Sequence, residues 1–247
     1  MRAATRARHG GARVSVFDFS CLLQYRAMDN LIQTIAVYAL PVIFAITLHE
    51  AAHGYAARLL GDNTAYVLGR VSFNPMRHID PIGTIAMPLV LYFLTSGAFL
   101  FGYAKPVPVA FRNLRNPRWG SLLVAAAGPV CNLVQALVWG FVAVGLAVAQ
   151  VDEPFFTRMA AAGVGTNLVL AALNLFPLPP LDGGRVLAAL LPPRQSIALS
   201  KLEPYGFFIV LILVTTGVFT RIWLGPLVGL GQSVLAAILN PIASLFF

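Results

Sequence analysis

The pentapeptide His49-Glu50-Ala51-Ala52-His53 holds two of the chain's four histidines and one of its three glutamates. Residues four apart stack on one face of a helix, so two imidazoles at that spacing can offer nitrogens to a single zinc ion. The glutamate beside the first can take a proton from a water held at the metal. A shuffled sequence of this composition would contain the pattern roughly once in two thousand tries, which separates it from chance. Each residue also has a plainer reading: a lone histidine in an apolar helix is usually a hydrogen-bonded core residue, and Glu50 could pair with Arg58. Ionisable groups at membrane depth cost about 2.5 to 3.5 kcal/mol each on insertion scales, however, and a bound dication compensates that cost directly.

A zinc site needs a third protein ligand and, for catalysis, one position open to water. Asp182 is the candidate, in the run Asn174-Leu-Phe-Pro177-Leu-Pro179-Pro180-Leu-Asp182-Gly183-Gly184. The prolines must break the helix that runs from about Met159, and the carbonyls they free are tolerable at membrane depth only inside protein or a water-filled cavity. Asp182 then opens a second short helix through about Leu191. An N-cap aspartate is the ordinary reading of that position. A ligand role is compatible with it, because broken helices beside acids mark binding sites in membranes. His78 and Asp80, in a polar loop, are rival ligands and rank below Asp182.

The elements that must position these residues follow from composition. Of 247 residues, 58% are hydrophobic and 11% charged, against about 25% charged in soluble domains. Six stretches carry no charge: Leu31 to Leu48, Pro81 to Ala104, Trp119 to Val151, Met159 to Leu181, Pro204 to Thr220 and Ile222 to Phe247. Most reach the roughly 20 residues of a membrane-spanning helix. The fold class is therefore an all-α integral membrane protein of the cell membrane, with five to six hydrophobic helical segments. The net charge of +8 reflects loop arginines and lysines that set topology and does not imply nucleic-acid binding. Lys105, Arg112, Arg115 and Arg118 make their loop cytoplasmic. Two cysteines, Cys21 and Cys131, support neither a disulfide framework nor a thiolate metal site. Residues 1–27, with five arginines, read as a leader that is disordered or not native, with translation starting at Met28. Residues 28–203 form the membrane-embedded catalytic core, and 204–247 its C-terminal transmembrane helices.

In the His49 to His53 motif, in Asn174 to Gly184 with its Asn, Pro and Leu-Asp-Gly pattern, and in Ala127-Gly-Pro-Val-Cys-Asn132, the chain resembles the site-2 protease family, zinc metalloproteases that cleave peptide bonds within or beside the bilayer. The stretches Gly69 to Pro81 and Gly102 to Val109 are similar to the compact bacterial and archaeal branch, and no stretch between apolar segments has room for a PDZ domain. The resemblance implies one zinc ion bound by His49, His53 and Asp182, with Glu50 as general base. It also implies that Asn174 and Asn132 contact the substrate backbone or the developing oxyanion.

The substrate would be a transmembrane protein or peptide. A helical substrate offers no free carbonyl, so it must unwind, and β-augmentation on short β-like segments near the active site, Val67 to Phe73 or Ala104 to Val109, is the expected way to hold it. Depth adds a topology. His49 and Asp182 meet at one level only if their helices both enter from outside, so Pro81 to Ala104 dips in and returns, helped by Pro88 and Gly97. Five full spans and a cytoplasmic C-terminus remain. The competing class is a transporter or channel lined by the same polar residues and broken helix. Substrate identity and oligomeric state are not legible.

Overall fold

The computed structural model describes residues 31–87, 90 and 104–246, with backbone only at 31, 84 and 85. The leader, the Met28 start, Cys21, Pro88, Gly97 and most of the expected re-entrant segment lie outside the described residues.

Helix α1 (Leu31–Leu59) is followed by helical turns at Thr64–Val67, Pro75–Arg77 and Pro81–Ala86, the last wound as a π-helix. A further turn at Phe111–Asn113 leads into α2 (Pro117–Val148), and α3 (Pro154–Asn174), α4 (Asp182–Leu190), α5 (Pro193–Ser200) and α6 (Glu203–Thr215) follow. A π-helical turn, Thr220–Leu224, runs into α7 (Gly225–Ala243). The boundaries have local causes. Asn116 caps α2 by accepting from Trp119 N, with Pro117 at the first helical position where no N–H is needed. Proline opens α3 in the same way, at Pro154. The helix thus starts a turn before the expected Met159, because Arg158 on an otherwise apolar helix does not stop it.

Four helices are long and apolar enough to cross a membrane: Ile32–Leu59, Pro117–Val148, Pro154–Asn174 and Thr220–Ala243. A fifth span exists if α5 and α6, bent by 66°, are taken as one. At 1.5 Å per residue α1 is about 44 Å long and α3 about 32 Å, enough for a hydrocarbon core of about 30 Å. Their outward faces carry large apolar side chains such as Ile35, Phe44, Val134, Phe141 and Val234, as a lipid solvent requires. Their inward faces carry small ones. Ala45, Ala136 and Ala160 have no exposed surface, and a Cβ at Gly163 would lie 2.2 Å from the Trp139 ring, so α2 and α3 pack backbone to side chain as small residues permit in membranes. One apolar core joins α2, α3 and α7 through Val144, Val164, Leu168, Val228 and Leu239. A smaller one, Ala57, Leu114 and Val124, joins the end of α1 to the start of α2.

The expected β-like segments are absent: no strand forms among the described residues. Val67 closes a helical turn and Gly69 turns the chain at φ +65°. Residues 104–110 are non-helical but unpaired, since Pro106 and Pro108 remove the donors that a ladder needs. The two sides of the apolar segment at 81–104 nevertheless meet, for Lys105 N donates to His78 O at 2.9 Å. The lead-in to α2 likewise returns to the end of α1, with Arg115 N donating to Leu60 O at 2.9 Å.

Candidate metal centre

His49 and His53 sit one turn apart on α1, about 15 Å of helix before Leu59, and both are buried. The α2 helix passes directly over them: a Cβ at Gly128 would lie 2.5 Å from His49 Cε1 and from His53 Nε2. Any larger residue there would displace both rings. The loop after α3 brings the third group. Gly183 and Gly184 lie against the backbone of that loop, with a Cβ at Gly184 reaching 2.2 Å from Pro179 N, so the start of α4 is drawn in and Asp182 with it. Asp182 is the first residue of α4, its N-cap is Leu181, and no side-chain cap bond forms. The capping reading of Asp182 is thus not realised.

Backbone carbonyls fix the protons on both rings. Val124 O can only accept, so His53 Nδ1, 2.7 Å away, carries a hydrogen. The other ring is set through two amides. Asn167 Nδ2 donates to Gly163 O at 2.9 Å, which turns Asn167 Oδ1 toward Asn132 Nδ2, 2.9 Å away. Asn132 Nδ2 also donates to Ala45 O at 3.2 Å. Asn132 Oδ1 is left to accept from His49 Nδ1 at 2.6 Å. Both Nδ1 atoms therefore bear protons, and in the neutral imidazoles both Nε2 atoms present lone pairs.

These lone pairs face each other and a carboxylate. His49 Nε2 and His53 Nε2 are 3.1 Å apart, and Asp182 Oδ2 lies 3.2 Å from the first and 3.3 Å from the second. Asp182 Oδ2 is buried without a hydrogen-bond partner. Three acceptors at that range repel unless a cation lies among them. Ligands about 2.0 Å from a tetrahedral zinc ion stand about 3.3 Å apart, so the triangle fits such an ion with a fourth corner left over. Charge-assisted hydrogen bonds would instead draw the atoms to about 2.7 to 2.9 Å. Among the described residues this trio is the one histidine, cysteine and acid cluster with metal-holding geometry.

Glu50 follows His49 and is half-buried. Its Oε2 accepts from Val107 N at 2.9 Å, while Arg58 stacks over the Tyr66 ring at 3.6 Å. The Glu50 to Arg58 pairing therefore does not form. His78 is buried but points elsewhere, Nε2 donating to Ser72 O at 2.8 Å. Asp80 accepts from Ile82 N and Gly83 N at the start of the π-helical turn. Neither belongs to the trio. Asn174, the last residue of α3, donates one amide hydrogen to Leu170 O at 3.1 Å.

Asn167, Val124 and Asp62 were not legible as contributors. Asp62 lies in the loop after α1 and is fully buried. It accepts from Thr64 N and Oγ1, from Ala110 N and from Asn113 Nδ2. Burial alone would raise its carboxyl, but these donors outweigh burial and hold it below the usual carboxylate range.

The trio has the geometry to hold a metal ion, and it lies among helices long and apolar enough to cross a membrane. The chain is 37% identical over 196 residues to the "Putative zinc metalloprotease YwhC" of Bacillus subtilis (strain 168), a match that covers 77% of this chain and 85% of that protein. It is 29% identical over 205 residues to the protein of Mycobacterium tuberculosis named "Putative zinc metalloprotease Rip2", covering 79% and 75%. The Mycolicibacterium smegmatis protein of the same name matches at 29% over 189 residues, 75% and 69%. No family model matches the chain, and no solved structure matches it. This chain belongs to the site-2 protease family of zinc metalloproteases.

Proposed function

We propose that the protein is an intramembrane zinc metalloprotease of the cell membrane that hydrolyses peptide bonds of membrane-embedded substrates. His49, His53 and Asp182 hold the zinc ion, and Glu50 is the general base. The observation that carries this reading is the convergence of two imidazole Nε2 atoms and one carboxylate oxygen, all buried, with both Nδ1 protons already spent on Val124 O and Asn132 Oδ1.

Bound zinc supplies Lewis acidity, lowering the pKa of a water toward about 7 and polarising a carbonyl. The chain's own residues supply the rest. Glu50 Oε2 is held by Val107, and Oε1 has no partner among the described residues; that second oxygen takes the proton of the attacking water and returns it to the leaving amine. Asn132 spends both amide hydrogens on Ala45 O and Asn167, so its part is to orient His49 rather than to touch substrate. Asn174 has one amide hydrogen left for a substrate carbonyl or the developing oxyanion. A transmembrane substrate reaches these groups only where its helix has opened, because a helical carbonyl is already bonded.

The test is cleavage of a model transmembrane peptide by the full chain in proteoliposomes. Hydrolysis that stops on zinc chelation, returns with zinc and is absent from Glu50→Gln supports the reading. Hydrolysis undiminished in Glu50→Gln refutes it, and no hydrolysis by the zinc-loaded wild type favours the transporter or channel class.

A further inference from the structure

The run Ala104-Lys-Pro-Val-Pro-Val-Ala110 owes its hydrogen bonding to its two prolines. Pro106 and Pro108 have no N–H and fixed φ, so between Lys105 and Val109 a single backbone donor remains. That donor, Val107 N–H, meets Glu50 Oε2 at 2.9 Å. The Val107 side chain is buried and lies over α1 next to Gly54, where a Cβ would come 3.2 Å from a Val107 methyl. One glutamate oxygen is thus held from outside its own helix.

The run is tied down on either side of that contact. On one side Lys105 N donates to His78 O at 2.9 Å, and the Arg70 guanidinium donates to Lys105 O at 2.9 Å. His78 is itself braced on Ser72 O. On the other side Ala110 N donates to Asp62 Oδ2 at 2.7 Å, and Asp62 is held by Thr64 and Asn113. Every anchor except Asn113 belongs to the loop that follows α1, the helix bearing Glu50. The buried Asp62 and His78, which the chemistry does not use, gain a purpose here.

We infer that residues 105–110 form a strap that positions Glu50, with the Val107 N–H as the contact that orients the carboxylate. This rests on Glu50 being the base of the reaction proposed above. A glutamate rotates about three side-chain bonds, and a base outside hydrogen-bond reach of its proton does nothing. Holding Oε2 confines Oε1 to a small arc. The prolines prevent the run from spending its donors on a strand and keep the single one aimed.

The bond can be deleted without touching any side chain. In full-length protein made with the α-hydroxy analogue of valine at position 107, an ester oxygen replaces the N–H. Zinc content should stay at the wild-type level and KM within about twofold, while kcat falls about tenfold to a hundredfold, as small misplacements of reacting groups do. A second readout needs no chemistry. Carbonyl-labelled proline with nitrogen-labelled valine reports four amides, at positions 42, 107, 109 and 130. In zinc-free protein, exchange of the Val107 amide with deuterated water should accelerate about tenfold or more in Glu50→Ala. Wild-type kcat in the position-107 ester, unchanged exchange in Glu50→Ala, or loss of zinc from the ester would each overturn the inference. Full activity in Glu50→Gln would instead overturn the assignment of the base.

Discussion

Asn132 carries no charge and touches no substrate in this account, yet its removal should be costly. It fixes the tautomer of His49 through a 2.6 Å bond and is itself oriented by Asn167. Partners of ligating histidines are typically worth ten- to a hundredfold in metal affinity. Competition with a zinc chelator should therefore show Asn132→Ala weakened by about that factor, with Asn167→Ala intermediate. Equal affinity in both variants and wild type would mean that the rings are held by packing alone. Asp62 makes a different prediction. Its folded carboxyl titrates below the unfolded one, so its stabilising contribution is complete above the unfolded pKa, about 4, and is lost as pH falls further, through the folded value. Asp62→Asn should lower the thermal midpoint at pH 7 and flatten the decline below pH about 4; a decline as steep as in the wild type would place the acid-sensitive group elsewhere. The histidine spacing and the acid after the prolines were legible because their chemistry lies in residue type. Asn167 was not, because an asparagine in an apolar helix gives no hint of its partner. Asp62 reads as a solvated Gly-Asp-Asn loop until two donors of Thr64 and two from the distant stretch 110–113 are seen to converge on it.

Helices explain why the site forms where it does. Arg115 N to Leu60 O ties the end of α1 to the start of α2, and Asn132 of α2 meets Ala45 of α1 and Asn167 of α3 at one depth. Gly128 sets how closely α2 crosses the histidines, since a Cβ there falls 2.5 Å from both rings. Gly128→Ala should push the helices apart or rotate the rings, with loss of most bound zinc and all cleavage, while the chain still inserts and elutes as the wild type. Full zinc occupancy in that variant would show that the crossing yields without cost. Charge-free runs revealed α1, α2, α3 and α7, because lipid demands unbroken apolar length. They could not show the 66° bend between α5 and α6. The strand expected at 104–109 from the need to hold an unwound substrate does not form, because Pro106 and Pro108 leave too few backbone donors for a ladder.

For the molecule as a whole, the loop after α1 and the loop before α2 must share one side of the membrane. Asn113 Nδ2 bonds Asp62 Oδ1 at 3.1 Å and lies 3.4 Å from Thr64 Oγ1, and Lys105 meets His78. The positive-inside rule predicts, from the cluster Lys105, Arg112, Arg115 and Arg118, that this side is the cytoplasmic one. Single cysteines at positions 64 and 113 in intact cells should both be protected from an impermeant reagent, and labelling of one alone would contradict the pairing of the loops. These elements converge on the candidate metal centre, and zinc content of purified protein tests it most directly. The wild type and Glu50→Gln should each hold about one zinc per chain, and His49→Ala, His53→Ala and Asp182→Ala should each lose most of it. Full zinc in Asp182→Ala would contradict the account, because the lone oxygen facing the two histidines would then not be a ligand.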